Sequence, residues 1–200
     1  MSTFTSAQFT MEKQKQNFWC WAAAAVSIDN SMPGSSNISQ CLLVTSVLSP
    51  PPATLPPPAP VSGAPEPPPP ACCSTPDSSV CDQPDSLLEA LNKLHRVGGL
   101  PQFFAPNATV PNSPPFGIFV TELNGGKPVG VQIAWRDGGG HCVVVSQAEL
   151  SDNLVQSVWV ENPLIGTVVN KDLIKYEYND FVTNYDFQGE VRVVYKVRKR

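Results

Sequence analysis

Twelve of residues 50–70 are proline, in the segment SPPPATLPPPAPVSGAPEPPPPA. Proline locks φ and lacks a backbone N–H, so this stretch excludes both helix and sheet ladder and favours extended polyproline II. It lies between two segments patterned as helices. The expected organisation is therefore one domain over residues 1–200, with 49–71 as a proline-rich surface insertion and not an interdomain linker. A proline-binding partner at 50–70 is the functional alternative to a solvated loop. The chain has 200 residues, 42% of them hydrophobic, which is enough for one domain with its own core.

Around the insertion the helix signals come first. CWAAAAVSI carries strong helix formers, with Asn17 as the expected N-cap and Pro33-Gly34 as the stop. A second helix is expected over 37–48, capped by Ser36, with Ile38, Cys41, Leu42 and Leu48 on one buried stripe. A third follows in SLLEALNKLHRVGG. Ser86 and Glu89 form a capping box, Leu87, Leu88, Leu91 and Leu94 supply the apolar face, and Gly98-Gly99 end it. His95 falls in its last turn, where it complements the helix dipole. A short helix over 114–124 takes Pro114 and Pro115 into its first turn after Ser113 and buries Phe116, Phe119, Val120 and Leu123.

From residue 128 onward the pattern changes to strands: PVGVQIAW, HCVVVSQAEL, LVQSVWVEN and EVRVVYKV, punctuated by Gly, Asp and Asn. Helices first and antiparallel strands after give the fold class α+β, a helical N-terminal part packed on a C-terminal sheet.

Charge excludes some partners. The formal net charge is −4 and the pI about 5.1, whereas binding a nucleic acid needs a basic face. The terminal KVRKR is too short to change this. No apolar run approaches the roughly 20 residues of a membrane span. MSTFTSAQFTMEKQKQ lacks the basic-then-apolar pattern of a signal peptide, so the chain is expected to be a mature fragment, a cytoplasmic protein, or one secreted by a non-classical route.

The chemistry concentrates in three places. In QKQNFWCWAA, Cys20 stands at the start of a helix, where the dipole favours a thiolate. In RDGGGHCVVV, three glycines deliver His141 to a strand start, and Gly139 and Gly140 let a substrate approach. If 141–149 and 154–161 pair as antiparallel neighbours, the start of one lies beside the end of the other, and His141 meets Asn162 of VENP. A histidine that takes the thiol proton and returns it to a leaving amine, oriented by Asn162, makes Cys20 a nucleophile. The backbone N–H of Cys20 and an upstream glutamine amide are the available oxyanion donors. Trp19 is a candidate wall of the cleft and Trp21 a core anchor. Cys142 follows His141 on the strand, so it points to the opposite face as a small buried hydrophobe.

QKQNFWCWAA, GGGHCVVV and VENP, in that order, resemble the papain-like cysteine peptidases, and most of all the bacterial branch of plant-pathogen avirulence proteases and relatives of the bacteriocin-processing peptidases. The likeness covers nearly the whole chain outside the proline insertion. It implies the papain-like fold, a Cys20-His141-Asn162 triad, and Gln14, six residues before the cysteine, in the oxyanion hole, with Gln16 as the nearby alternative. It implies peptide-bond hydrolysis of a protein or peptide substrate through an acyl-enzyme, with no metal and no other cofactor. The family's Q-C, C-C and further Cys match Gln40-Cys41, Cys72-Cys73 and Cys81. These four cysteines could pair as 41–72 with 73–81, or as 41–73 with 72–81; zinc is the rival, disfavoured because C-C-x7-C lacks the usual ligand spacing. The same triad also serves amidase, deamidase or acyltransferase chemistry, and the fold can survive as a non-catalytic binding module.

Overall fold

The computed structural model describes residues 1–6, 9–48, 72–104, 114–165, 174–186 and 188–199. The proline-rich insertion 49–71 and Ser113 lie outside the described residues. The helices and strands run in the order β1 (Ser2–Thr5), α1 (Cys20–Asn30), α2 (Gln40–Leu48), α3 (Leu87–Lys93), β2 (Gln102–Phe103), α4 (Phe116–Asn124), β3 (Val129–Trp135), β4 (Gly140–Leu150), β5 (Gln156–Glu161), β6 (Ile174–Glu177), α5 (Tyr178–Asn184) and β7 (Gly189–Tyr195). The class is α+β, as expected.

The strands among the described residues join one sheet in the order β2-β7-β3-β4-β5-β6, with β1 off this path and paired to β4. The long β4 is its axis. On one side its first half pairs with β3, Gly140 to Val145 against Ala134 to Val129, and its last four residues pair with β1. On its other side runs β5. Side chains alternate across the strand. Cys142 and Val144 enter a core with α1, α2 and α3. Val143 and Val145 enter a second core with α4 and α5. The sheet is thus covered on both faces, and the helices-first layout has to be corrected. β1 precedes every helix, and α5 sits between two strands. The short segments STFT, IKYE and YNDFVTN carry too few residues for a periodic signal; β1 is held by β4, and α5 by burying Tyr178, Phe181 and Val182.

Helix α1 is the centre of the first core. Ala22 to Ala25 are wholly buried, so the helix is enclosed on all sides, and small side chains bring its neighbours close. Gly130 on β3 makes room below it: a Cβ there would stand 3.1 Å from Leu87 and 3.5 Å from Ile28. The cap of α1 is Trp19, which makes no side-chain bond into the first turn. Asn17 does not cap it, and its carbonyl instead accepts from Gln14.

Two other helix ends also differ from expectation. α2 starts at Gln40, with Ser39 accepting from Leu42 and Leu43, because Ser36 is committed to Asp29. Its buried side chains are Gln40, Leu43 and Val44, while Leu42 is exposed; the helix is turned so that Cys41 meets Cys73. In α3, Ser86 caps through the Leu88 amide, and its own N–H bonds Asp85 in place of Glu89. α3 stops at Leu94, well before Gly98. His95 adopts φ 53°, and the amides of Arg96 and His95 return to the carbonyls of Leu91 and Asn92. This is a Schellman turn with histidine in the usual glycine position. At α4 Pro115 is the N-cap, one residue outside the helix.

The exit of α3 delivers Arg96 to the far end of α1. Arg96 Nε donates to Asp29 Oδ1 at 2.5 Å, and neither side chain has any exposure. Asp29 also accepts from the amide and hydroxyl of Ser36, at 2.7 and 2.6 Å. Burial alone would raise the Asp29 pKa; the Ser36 bonds and the Arg96 charge outweigh it and hold the carboxyl below its ordinary 3.8. Arg96→Met leaves a buried carboxylate without its cation and is expected to cost ~3–5 kcal/mol of unfolding free energy, measured by urea denaturation with the disulfides intact. Because the folded pKa is depressed, the wild-type contribution is present above the ordinary carboxylate pKa and lost as pH falls through the lower folded value; Asp29→Asn should remove that acid limb.

Candidate active site

Cys20 is the first residue of α1, and its surroundings are fixed from three directions. The turn that follows the two neighbouring cysteines holds the residues beside it. Trp19 Nε1 donates to the Cys81 carbonyl at 2.8 Å, the Phe18 amide to Asp82 Oδ1 at 2.9 Å, and Trp21 Nε1 to the Gln83 carbonyl at 3.3 Å. That turn is stapled by Cys72–Cys81 and tied to α2 by Cys41–Cys73, with Cα separations of 5.4 and 4.9 Å. Of the two pairings open from sequence, this is the second, and the thiols a zinc ion would need are in disulfides. The second direction is the segment before Cys20. Buried Gln40 bonds Glu12, the Lys13 carbonyl and the Lys15 amide, and the Gln14 amide reaches the Pro163 carbonyl at 2.8 Å. The third is β4, against which α1 packs.

β4 supplies His141. Gly138 and Gly139 have φ of 99° and 81°, the left-handed backbone that glycine tolerates, and turn β3 into β4 so that His141 enters at the strand's second residue. Its Nε2 stands 2.9 Å from Asn162 Oδ1. Asn162 is itself fixed: Oδ1 also accepts from the Leu164 amide at 3.0 Å, and Nδ2 donates to the Tyr185 hydroxyl at 3.3 Å. With Oδ1 an acceptor, His141 Nε2 carries a proton and Nδ1 is left for another partner. The Trp135 ring lies over His141, 6.0 Å between centroids and 16° from parallel, and shelters it with Tyr185.

Cys20 and His141 open into one cleft of about 470 Å³, with Gly139 and Gly140 on its rim and Trp21, Trp135 and Phe18 among its apolar walls. Hydrogen bonding from the Cys142 thiol, then from His141 together with the His141 charge, brings the Cys20 pKa down from 9.0 to about 4, against the opposing effect of burial. The interaction with Cys20, and burial after it, push the Cys142 thiol well up.

Three expectations need revision. Trp19 does not line the cleft; it is fully buried, whereas Trp21 is the core anchor expected of it and borders the cleft as well. The indole N–H of Trp19 has a buried carbonyl to satisfy, and this draws the ring inward. Gln14 does not point a free amide at Cys20. Its Nε2 donates to the carbonyls of Gln16 and Asn17, each at 2.8 Å, so both N–H bonds are used. Cys142 is buried as expected, yet it is a partner of the nucleophile and not only packing. Trp135 and Tyr185 were missed: an aromatic on a strand carries no sign of its partner, and Tyr185 lies 23 residues from Asn162.

No family model matches the chain, and no curated protein matches it.

The depressed thiol pKa has a direct readout. Alkylation of Cys20 by iodoacetamide, followed by intact mass, should stay fast down to mildly acidic pH and fall as pH drops through about 4, because protonation then removes the thiolate. Cys142→Ala removes one donor to that thiolate and should move the midpoint upward.

Proposed function

We propose that this protein is a papain-like cysteine peptidase, with Cys20 as nucleophile, His141 as general acid and base, and Asn162 as the residue that orients His141. The observation that carries this reading is that His141, held by Asn162 Oδ1, and Cys20, at a helix N-terminus, line one open cleft, where Cys142 and His141 lower the thiol pKa. Few structural roles call for a desolvated thiol and a sheltered imidazole to face each other across a cavity.

In this mechanism the Cys20 thiolate attacks the scissile carbonyl carbon. The developing oxyanion is met by the Cys20 amide at the uncapped start of α1. His141 protonates the leaving amine from Nδ1, and a thioester remains on Cys20. Water then attacks the thioester, with His141 accepting its proton, and the acid product leaves. Asn162 keeps the imidazole in the tautomer that presents Nδ1, and Trp135 keeps water off the His141–Asn162 bond. Gln14 can serve as second oxyanion donor only by exchanging its bonds to Gln16 and Asn17. Amidase, deamidase or acyltransferase chemistry would use the same groups, and the nature of the acceptor decides among them.

An epoxysuccinyl inhibitor of papain-like peptidases should add once to the wild-type protein, read by intact mass. Cys20→Ala should abolish the adduct. His141→Ala should slow both labelling and peptide hydrolysis by roughly 10²–10⁴-fold, with Asn162→Ala less severe. Folded wild type that takes no label and cleaves no peptide library would overturn the peptidase reading and leave a binding module.

A further inference from the structure

Cys20 and Cys142 are the two free cysteines among the described residues. They come from different elements, the first turn of α1 and the third residue of β4. They nevertheless line the same cleft, and Cys20 packs against the core cluster that holds Cys142. Cys142 is nearly sealed, 4% exposed within the core that α1 packs on, whereas Cys20 is partly open to the cleft. The steps of the reaction above pass no proton or electron through Cys142, whose thiol there only favours the Cys20 thiolate.

The rest of the chain bears on what such a pair does. Its other four cysteines are disulfide-bonded, a state that forms and lasts under oxidising conditions. A thiolate at a helix N-terminus is the form that oxidants attack, and a sulfenic acid with a thiol beside it condenses to a disulfide.

We propose that Cys20 and Cys142 together form a reversible oxidation site for hydroperoxides, in which Cys142 closes on oxidised Cys20 as an intramolecular disulfide and holds the enzyme in a latent, reducible state. This rests on the reading of Cys20 as an activated nucleophile. The Cys20 thiolate attacks the terminal oxygen of a hydroperoxide. A sulfur–oxygen bond forms, the oxygen–oxygen bond breaks, and the alkoxide or hydroxide that leaves is protonated from the His141 imidazolium. Cys20 is then a neutral sulfenic acid, so the charge that disfavoured ionisation of Cys142 is gone. Cys142 Sγ attacks Cys20 Sγ; the sulfur–sulfur bond forms, the sulfur–oxygen bond breaks, and the departing hydroxide takes the Cys142 proton as water. Two electrons pass from the two thiols to the hydroperoxide. An external thiol reverses the state, two of its molecules being oxidised to their disulfide while both cysteines regain their protons. Burial of Cys142 matters in two ways: bulk oxidant does not reach it, and it waits beside the reacting sulfur, which favours closure over further oxidation of Cys20.

The test uses the full chain, treated with hydrogen peroxide, digested without reductant and mapped by mass spectrometry, with Cys41–Cys73 and Cys72–Cys81 as internal standards. Expected is a linked Cys20–Cys142 peptide, an intact mass lower by two hydrogens, and epoxysuccinyl labelling reduced by roughly an order of magnitude and restored by dithiothreitol. Cys142→Ala should lose labelling under peroxide without recovery, because Cys20 proceeds to sulfinic acid. The proposal is overturned if treated wild type shows Cys20 sulfinic acid, no linked peptide and no recovery; this map stands on wild type even if the variant misfolds. Untreated protein separates the two readings. Labelled Cys20 with no link under peroxide removes the switch and keeps the peptidase, whereas a link without any labelling removes the peptidase and keeps the oxidation site.

Discussion

An ion pair with no exposure to water, Asp29 with Arg96, fixes the helix on which the candidate site is built. Two charges in such a place are tolerated only when every donor and acceptor is met. Here Ser36 supplies two bonds to Asp29, and Arg96 reaches the Pro33 carbonyl as well. The pair therefore draws three segments to one point: the last turn of α1, the 33–36 turn and the exit of α3. A hydrophobic contact in the same location would bury comparable surface but would let the helix slide. Directional bonds set its position along its own axis, and that position decides where Cys20 stands relative to β4.

The other end of α1 is held by covalent and hydrogen-bond restraints of a different kind. The Cys72–Cys81 turn takes the indole of Trp19 and the amide of Phe18, so it grips the two residues before the nucleophile. In the chain-entropy account, closing loops of the sizes spanned by Cys41–Cys73 and Cys72–Cys81 is worth ~3–4 kcal/mol for the longer and ~2.5–3 for the shorter. Cys41–Cys73 also joins the chain on either side of the proline-rich insertion.

Between these restraints the site itself is a compromise. Burial opposes a thiolate at Cys20, and two neighbours outweigh it. His141 and Cys142 come from adjacent positions on one strand and point to opposite sides of it. Only because the helix start lies over the strand's beginning, where the glycine turn leaves the edge open, can one sulfur meet both. The sheet thus delivers an imidazole on one side and a thiol on the other to the same point. The imidazole is further fixed by Asn162 and sheltered by Trp135, and the restraint on Asn162 comes from Tyr185 at the end of α5.

By itself the sequence determined the local features: the class of fold, a buried alanine helix beginning at Cys20, and four strands. It also determined the meeting of His141 with Asn162, because two antiparallel strands joined by a short turn must bring those ends together. That the proline run can form neither helix nor ladder is equally local, since it follows from φ and a missing N–H. What only the tertiary structure decided depends on contacts far apart in the chain. Both tryptophans beside Cys20 are held inward by carbonyls 62 residues away. The disulfide pairing is set by the rotation of α2. The termination of α3 at His95 follows from the demand that Arg96 reach Asp29, which outweighs the glycines downstream. The facing of Cys20 and Cys142 is not written in the spacing of either motif, because no local pattern encodes where a helix start comes to rest on a strand. That depends on the whole set of buried bonds that hold α1 in place.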